Sequence, residues 1–293
     1  MENIRNQYAL IEIEEVVNRQ YTNALSIFTA LEEAEKKATQ CRGGMYWKTH
    51  IKTKIDYLIR TQPDNSQKCI GPRSSETEAI YEKFTSTKII IESRIHALRK
   101  ELERNKRLNR ALSVGYAPKI LIDVLNVLSR KGVAKDFKVI GPQAIYAFEA
   151  AACVRIKKES APETPNANIL WQIDKKLKLQ TQINYNEKTM ITLLKKIDKS
   201  FEISKGRNCT AINAKGFEVE FIHLKEWAIP MDIPFSIVIV SKNGQMARMN
   251  TMSPLEFIEI VKLGEYSLQA SIIEKLVIEY LPQLVLDRRV TCQ

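Results

Sequence analysis

Apolar residues recur at helical spacing through residues 2–40, at Ile11, Val16, Val17, Tyr21, Leu25, Phe28 and Leu31, and the run stops before Gly43-Gly44. This predicts an N-terminal helix. Residues 41–72 change character: stretches such as Tyr46-Trp47-Lys48 and Asp56–Arg60 alternate, and a Pro63-Asp64-Asn65 turn divides them, which predicts a small hairpin. A long helix is predicted over 75–112, capped by Ser74 or Ser75, with Glu76 and Glu78 placed to favour its dipole. A shorter one over 118–131 gathers Ile120, Leu121, Val124, Leu125 and Leu128.

From residue 137 the pattern alternates between strand and helix. Phe137–Ile140 reads as a strand, Gly141-Pro142 as a turn and Gln143–Val154 as a helix. A polar, proline-rich loop over 157–165 leads into a strand at 166–171, and helical segments are predicted over Asp174–Leu179 and Glu187–Lys199. Residues 210–215 and 217–222 read as paired strands, as do 235–240 and 246–251, whose Asn243-Gly244 is a strong hairpin turn. Ser253-Pro254 opens a helix with a serine N-cap and proline at the first position, and a last helix spans 267–281 before Pro282. The expected class is α+β: a mostly helical region over 1–135 with the small hairpin near 41–72, then a mixed-sheet core with C-terminal helices over 136–293.

Composition narrows the function classes. The chain has 293 residues, 44% hydrophobic and 27% charged, which is ordinary for a soluble protein with a buried core. The longest apolar runs, such as FSIVIV at 235–240, are too short to span a membrane, and the acidic N-terminus lacks the apolar segment of a secretory signal. A cytoplasmic protein is expected. Five scattered cysteines without CxxC spacing and three histidines point away from disulfides and from zinc. The net charge of +11 points to a polyanionic partner. Arg94, Arg99, Lys100, Arg104, Lys106, Arg107 and Arg110 crowd the second half of the long predicted helix. They form either a solvated face or a surface for RNA or a protein partner.

The order strand, glycine turn, helix, then a strand opening on two same-facing side chains, then a carboxylate on a later strand suits nucleotide chemistry. The glycine lets backbone approach a triphosphate. Paired carboxylates hold magnesium ions that bridge the phosphates. Over GGMYWKTH (43–50), QKCIGPRSSETEAIYEKF (67–84), RLNRAL (107–112), VIGPQAIYAFEAAACVR (139–155), TPNANILW (164–171), DKSFEI (198–203), INAKGFEVEFI (212–222) and MSPLEFIEIVK (252–262), the chain resembles a family of bacterial nucleotidyltransferase-fold proteins of the polymerase-β-like superfamily.

That resemblance implies transfer of a nucleoside monophosphate from an NTP to a hydroxyl of RNA, protein or a small molecule, with Mg²⁺ as cofactor. Residue by residue, it puts Gly141 on the glycine turn and Lys262 near the nucleotide phosphates. Glu220 takes the place of the third carboxylate, and Asn166 and Asn168 stand where the family has its two metal-binding aspartates. Pro142 replaces the usual small hydroxyl residue and removes an N–H from the phosphate cradle. Amide oxygens are weaker magnesium ligands than carboxylates, so an inactive or severely impaired enzyme is expected. Two explanations stand: natural divergence to a pseudoenzyme, or Asp→Asn inactivation of a parent reading TPDADILW. The alternative class is a non-catalytic protein that holds nucleic acid or a partner.

Overall fold

The computed structural model describes residues 8–158, 175–181, 187–204, 206, 209–223, 234–262 and 267–284. It is α+β, as expected, and divides into two compact units: Thr22–Lys106, and Met1–Tyr21 with Arg107–Gln293. Strand β1 (Tyr8–Glu12) precedes α1 (Glu15–Gln40), and strands β2 (Gly44–Thr49), β3 (Asp56–Thr61) and β4 (Gln67–Pro72) precede α2 (Ser75–Ala111). The hairpin expected near 41–72 is therefore a three-stranded antiparallel sheet, in the order β2-β3-β4. Gly43 leads into it with φ +87°, and a Cβ there would lie 1.9 Å from the Thr61 carbonyl oxygen, so only glycine fits. Lys88 of α2 donates to the Gly43 carbonyl at 2.9 Å.

The larger unit holds α3 (Lys119–Arg130), β5 (Phe137–Ile140), α4 (Ile145–Ala152), β6 (Val154–Lys158), β7 (Lys176–Thr181) and α5 (Glu187–Leu194). After them come β8 (Glu202–Ile203), β9 (Thr210–Ile212), β10 (Glu218–His223), β11 (Phe235–Val240), β12 (Met246–Thr251), α6 (Pro254–Lys262) and α7 (Ser267–Tyr280). Seven of these strands form a mixed sheet in the order β11-β12-β5-β7-β10-β9-β8. Strand β7 runs antiparallel to β5 and parallel to β10. Successive residues of a strand face opposite sides, so two cores form. Val139, Leu177, Leu179, Val219 and Phe221 pack with the buried face of α3 on one side. Ile140 and Ile222 pack with α4, α6 and α7 on the other. Phe148 of α4 meets Phe257 of α6 edge-on, with centroids 5.5 Å apart.

Hairpin β11–β12 joins the sheet through one parallel rung, Thr251↔Val139, where the Thr251 hydroxyl donates to the Val139 carbonyl at 2.7 Å. A main-chain bridge to Ala117 and three side-chain amides complete the attachment. Asn126 donates to the Met246 carbonyl, Asn250 to that of Ala134, and Asn109 to that of Gly244.

Several expected elements are corrected. Tyr8–Glu12 is a strand paired with β6, because its apolar residues satisfy an antiparallel register (Leu10↔Ile156) as readily as a helix face. Residues 176–179 are strand, since Leu177 and Leu179 alternate into the core between two hydrogen-bonding neighbours. Helix α4 stops at Ala152, where Cys153 takes a left-handed conformation (φ +53°) and the chain turns directly into β6. The helix from Glu187 ends at Leu194 rather than Lys199. The strand expected at 166–171 lies outside the described residues.

Two polar interactions lock this scaffold. Ser253 and Glu256 form a reciprocal capping box: the Glu256 N–H donates to the Ser253 hydroxyl, and the Ser253 N–H donates to the Glu256 carboxylate at 2.6 Å. The same carboxylate faces Lys138 at 3.6 Å, and Lys138 is 1% exposed. Ser253→Ala should lower stability in urea denaturation by about 1 kcal/mol. Glu256→Ala should cost more, about 3 kcal/mol, because it also removes the carboxylate beside a buried ammonium.

Buried Glu149 of α4 accepts from the Ile156 N–H at 2.8 Å and so fixes the turn into β6. Desolvation raises its pKa above the ordinary value of 4.5, outweighing the opposing hydrogen bond and the Arg155 charge. The folded state then binds this proton more tightly than the unfolded chain. Its contribution is greatest below the ordinary value and falls as pH rises through the raised one. Glu149→Gln should remove that decline, read as a flatter plot of stability against pH above 4.5.

Candidate nucleotide site

The site is built where β5 ends. Gly141 follows Ile140 with φ +78° and ψ −158°, a conformation reserved in practice for glycine. No backbone crowds it: the nearest atom to a Cβ built there is the Lys178 Cδ, at 4.0 Å. The requirement is one of dihedral angle, not of space. Pro142 opens a single 3-10 turn, Pro142–Ala144, in front of α4, and its fixed φ suits that position while supplying no N–H. Gln143 is fully buried behind the turn and donates to the Lys176 carbonyl at 3.2 Å. Its Oε1 has no hydrogen-bond partner among the described residues.

Sheet register carries the site across three strands. Ile140 stands opposite Lys178, and Lys178 opposite Glu220. With neighbouring strands about 4.8 Å apart, the row runs from the glycine turn through a lysine to the glutamate. One row along, Lys176 stands opposite Glu218. These four charged side chains share the face that holds Ile140 and Ile222, since the intervening Leu177, Leu179, Val219 and Phe221 enter the opposite core. The Lys176 ammonium lies 3.0 Å from the Glu220 Oε2 and 3.7 Å from a Glu218 oxygen. The approach to Glu220 is ionic rather than a directed bond, leaving Oε2 without a hydrogen-bond donor among the described residues. Lys176, Lys178 and Gln143 were missing from the sequence reading. Their signal was the Lys-Leu-Lys-Leu alternation, obscured by the helical reading of that segment.

The other expected residues fall as follows. Asn166 and Asn168 lie outside the described residues. Lys262 ends α6 and pairs with Glu274 of α7. Along α2, Arg99 pairs with Glu35 at 2.8 Å, Arg104 with Glu101 and Lys106 with Glu103. Arg94, Lys100, Arg107 and Arg110 are exposed, without ion pairs among the described residues. One basic residue outside those expectations, Arg73, is held between Glu78 and Asp56 over the ring of Trp47, which makes it a structural clamp for the sheet β2-β3-β4.

Residues 119–226, from the start of α3 through β10, match a family model described as Nucleotidyltransferase. This region is a nucleotidyltransferase-family domain. No curated protein and no solved structure matches the chain. The matched segment holds Gly141, Lys176, Lys178 and Glu220, as well as Asn166 and Asn168.

Does this nucleotidyltransferase domain suit two magnesium ions? Among the described residues no group of three or more acidic, histidine or cysteine side chains converges. Two glutamates facing two lysines already balance in formal charge, and the remaining donors the motif offers are the neutral amides of Asn166 and Asn168. Four added positive charges would have only the nucleotide's own phosphates as unpaired anionic ligands. The donor set does not fit a two-magnesium centre. What it offers instead is ammonium groups beside a glycine turn and the first turn of α4, an arrangement that favours phosphate.

Replacing Gly141 by alanine should lower stability by about 1–3 kcal/mol, the range for a side chain held in a disfavoured backbone region. Urea denaturation measures it. A loss well below that range would show that the turn relaxes to negative φ.

Proposed function

We propose that this nucleotidyltransferase domain binds the triphosphate of a nucleotide at the β5–α4 turn and, with Asn166 and Asn168 in place, transfers its nucleoside monophosphate poorly or not at all. The observation that carries this reading is the Lys176 ammonium 3.0 Å from Glu220. It neutralises the described carboxylate that the motif assigns to metal binding, while amides occupy the other two positions. Lysines 176 and 178 then serve a bound polyphosphate, as compact charges for its oxygens. Gly141 lets the backbone approach, and the start of α4 adds a favourable dipole. Whatever hydroxyl acts as acceptor, be it on RNA, a protein or a small molecule, in-line geometry would come from positioning alone.

Restoring both carboxylates tests the reading. The chain and its Asn166→Asp/Asn168→Asp variant are compared for transfer of label from α-³²P-NTPs to total RNA and protein, with Mg²⁺ or Mn²⁺ supplied. The double variant is expected to transfer and the starting chain to be near background. Each single restoration should do far less than both, because the ligands act as a unit. Equal transfer by both chains would overturn the inactivity. Absence of transfer by the double variant with all four nucleotides, together with absence of NTP binding by calorimetry, would overturn the nucleotide site and favour a non-catalytic binding protein.

A further inference from the structure

A second cationic feature lies on the other face of the sheet. Between the start of α3 and the β9–β10 turn the surface opens into a cleft of about 580 Å³, ringed by Lys119, Lys175, Lys199 and Lys215. Its floor is the rim of the core beneath α3, at Ile120 and Phe217. Phe217, Val219 and Phe221 enter that core, whereas Glu218 and Glu220 point the opposite way. The cleft is therefore separate from the glycine turn.

Two carboxylates border it, and both are engaged. Asp123 pairs with Lys119 within α3. Asp198 accepts from the Ser200 N–H at 2.9 Å, the Ser200 hydroxyl at 2.7 Å and the Asn213 amide at 3.2 Å, so it ties the loop together. The Ser200 hydroxyl chief among them, these contacts hold the Asp198 carboxyl below its ordinary pKa. Lys175, Lys199 and Lys215 are exposed, and the charge of Lys215 also acts on Asp198.

The positive track continues past the cleft. At the far end of α3, Lys131 lies close enough to Lys196 for their amines to interact; a hydrogen bond between the two amines, and then their like charge, lower the Lys196 pKa. Two cations brought together are stabilised by an added anion. Helix α3 has 12 residues, so Lys119 and Lys131 stand about 18 Å apart along its axis, farther than one nucleotide's phosphates reach. The cations are all lysines, which bind phosphate as point charges.

We infer that the cleft and the Lys131–Lys196 pair form a binding track for the phosphodiester backbone of a single-stranded nucleic acid. The track anchors the strand on the face away from Glu220, so it does not rest on the catalytic reading and should not depend on residues 166 and 168. Because the contacts are to backbone, affinity should vary little with sequence and steeply with salt.

The test is fluorescence anisotropy of the full chain with a labelled 12-nucleotide oligouridylate between 50 and 200 mM salt. For single strands the slope of log K against log salt is about −0.7 for each phosphate contacted. Lys175→Gln/Lys199→Gln/Lys215→Gln should therefore flatten the slope by about 2 and weaken binding. All three substitutions are at exposed positions, and unchanged thermal unfolding would confirm the fold. The Asn166→Asp/Asn168→Asp chain should bind like the original. A triple variant with unchanged affinity and slope would overturn the inference. So would loss confined to an Arg94→Gln/Arg99→Gln/Lys100→Gln/Arg104→Gln variant of α2, or a triple variant that loses ATP binding but keeps the oligonucleotide. Equally tight binding of a labelled polyglutamate peptide would assign the surface to acidic protein instead.

Discussion

Backbone hydrogen bonding of Lys176–Thr181 on both of its edges decides what the rest of the domain can be. An antiparallel partner on one side and a parallel one on the other fix its register twice, at Ile140↔Lys178 and at Lys178↔Glu220. A slip of one residue would turn Leu177 and Leu179 out of the core beneath α3 and drive Lys176 and Lys178 into it. The alternation of that strand thus sorts apolar groups to one face and charges to the other. It delivers those charges to the end of the sheet where β5 breaks at Gly141.

Electrostatics then gives the site its character. In a cluster of carboxylates, mutual repulsion is relieved by divalent cations. Here Glu218 and Glu220 both face the Lys176 ammonium, which relieves their mutual repulsion. Substituting amides for the motif aspartates shifts the balance further toward positive charge. The frame that carries these charges matches nucleotidyltransferases over residues 119–226. The whole chain's charge is +11, and part of it gathers around the start of α3 rather than at the Gly141 turn.

Much of this was legible before any coordinates. Asn243-Gly244 fixed the β11–β12 hairpin, and Ser253-Pro254 with Glu256 marked the start of α6, because capping and turn chemistry are local. The 3.6-residue spacing of α3 and the length of α2 followed from pattern alone. Strands β1 and β7 did not, since their type depends on neighbours distant in sequence. Nothing in Phe137-Lys138-Val139-Ile140 shows that the lysine is buried, because the carboxylate facing it belongs to the cap of another helix. Gly141 and Glu220 were found through motif resemblance. Lys176, set against Glu220 by register, was reachable only through the sheet.

The attachment of the β11–β12 hairpin has an evolutionary consequence. Strands β5, β7 and β10 are joined by main-chain bonds, which a side-chain replacement leaves in place as long as the strand persists. The hairpin instead has one rung on β5 and a main-chain bridge to Ala117, and the amides of Asn109, Asn126 and Asn250 add to them. Each of those amides is encoded by a single codon and can be deleted by a single nucleotide change. The interior of the sheet is therefore mutationally robust, while this margin is held in part by side chains that drift can remove one at a time.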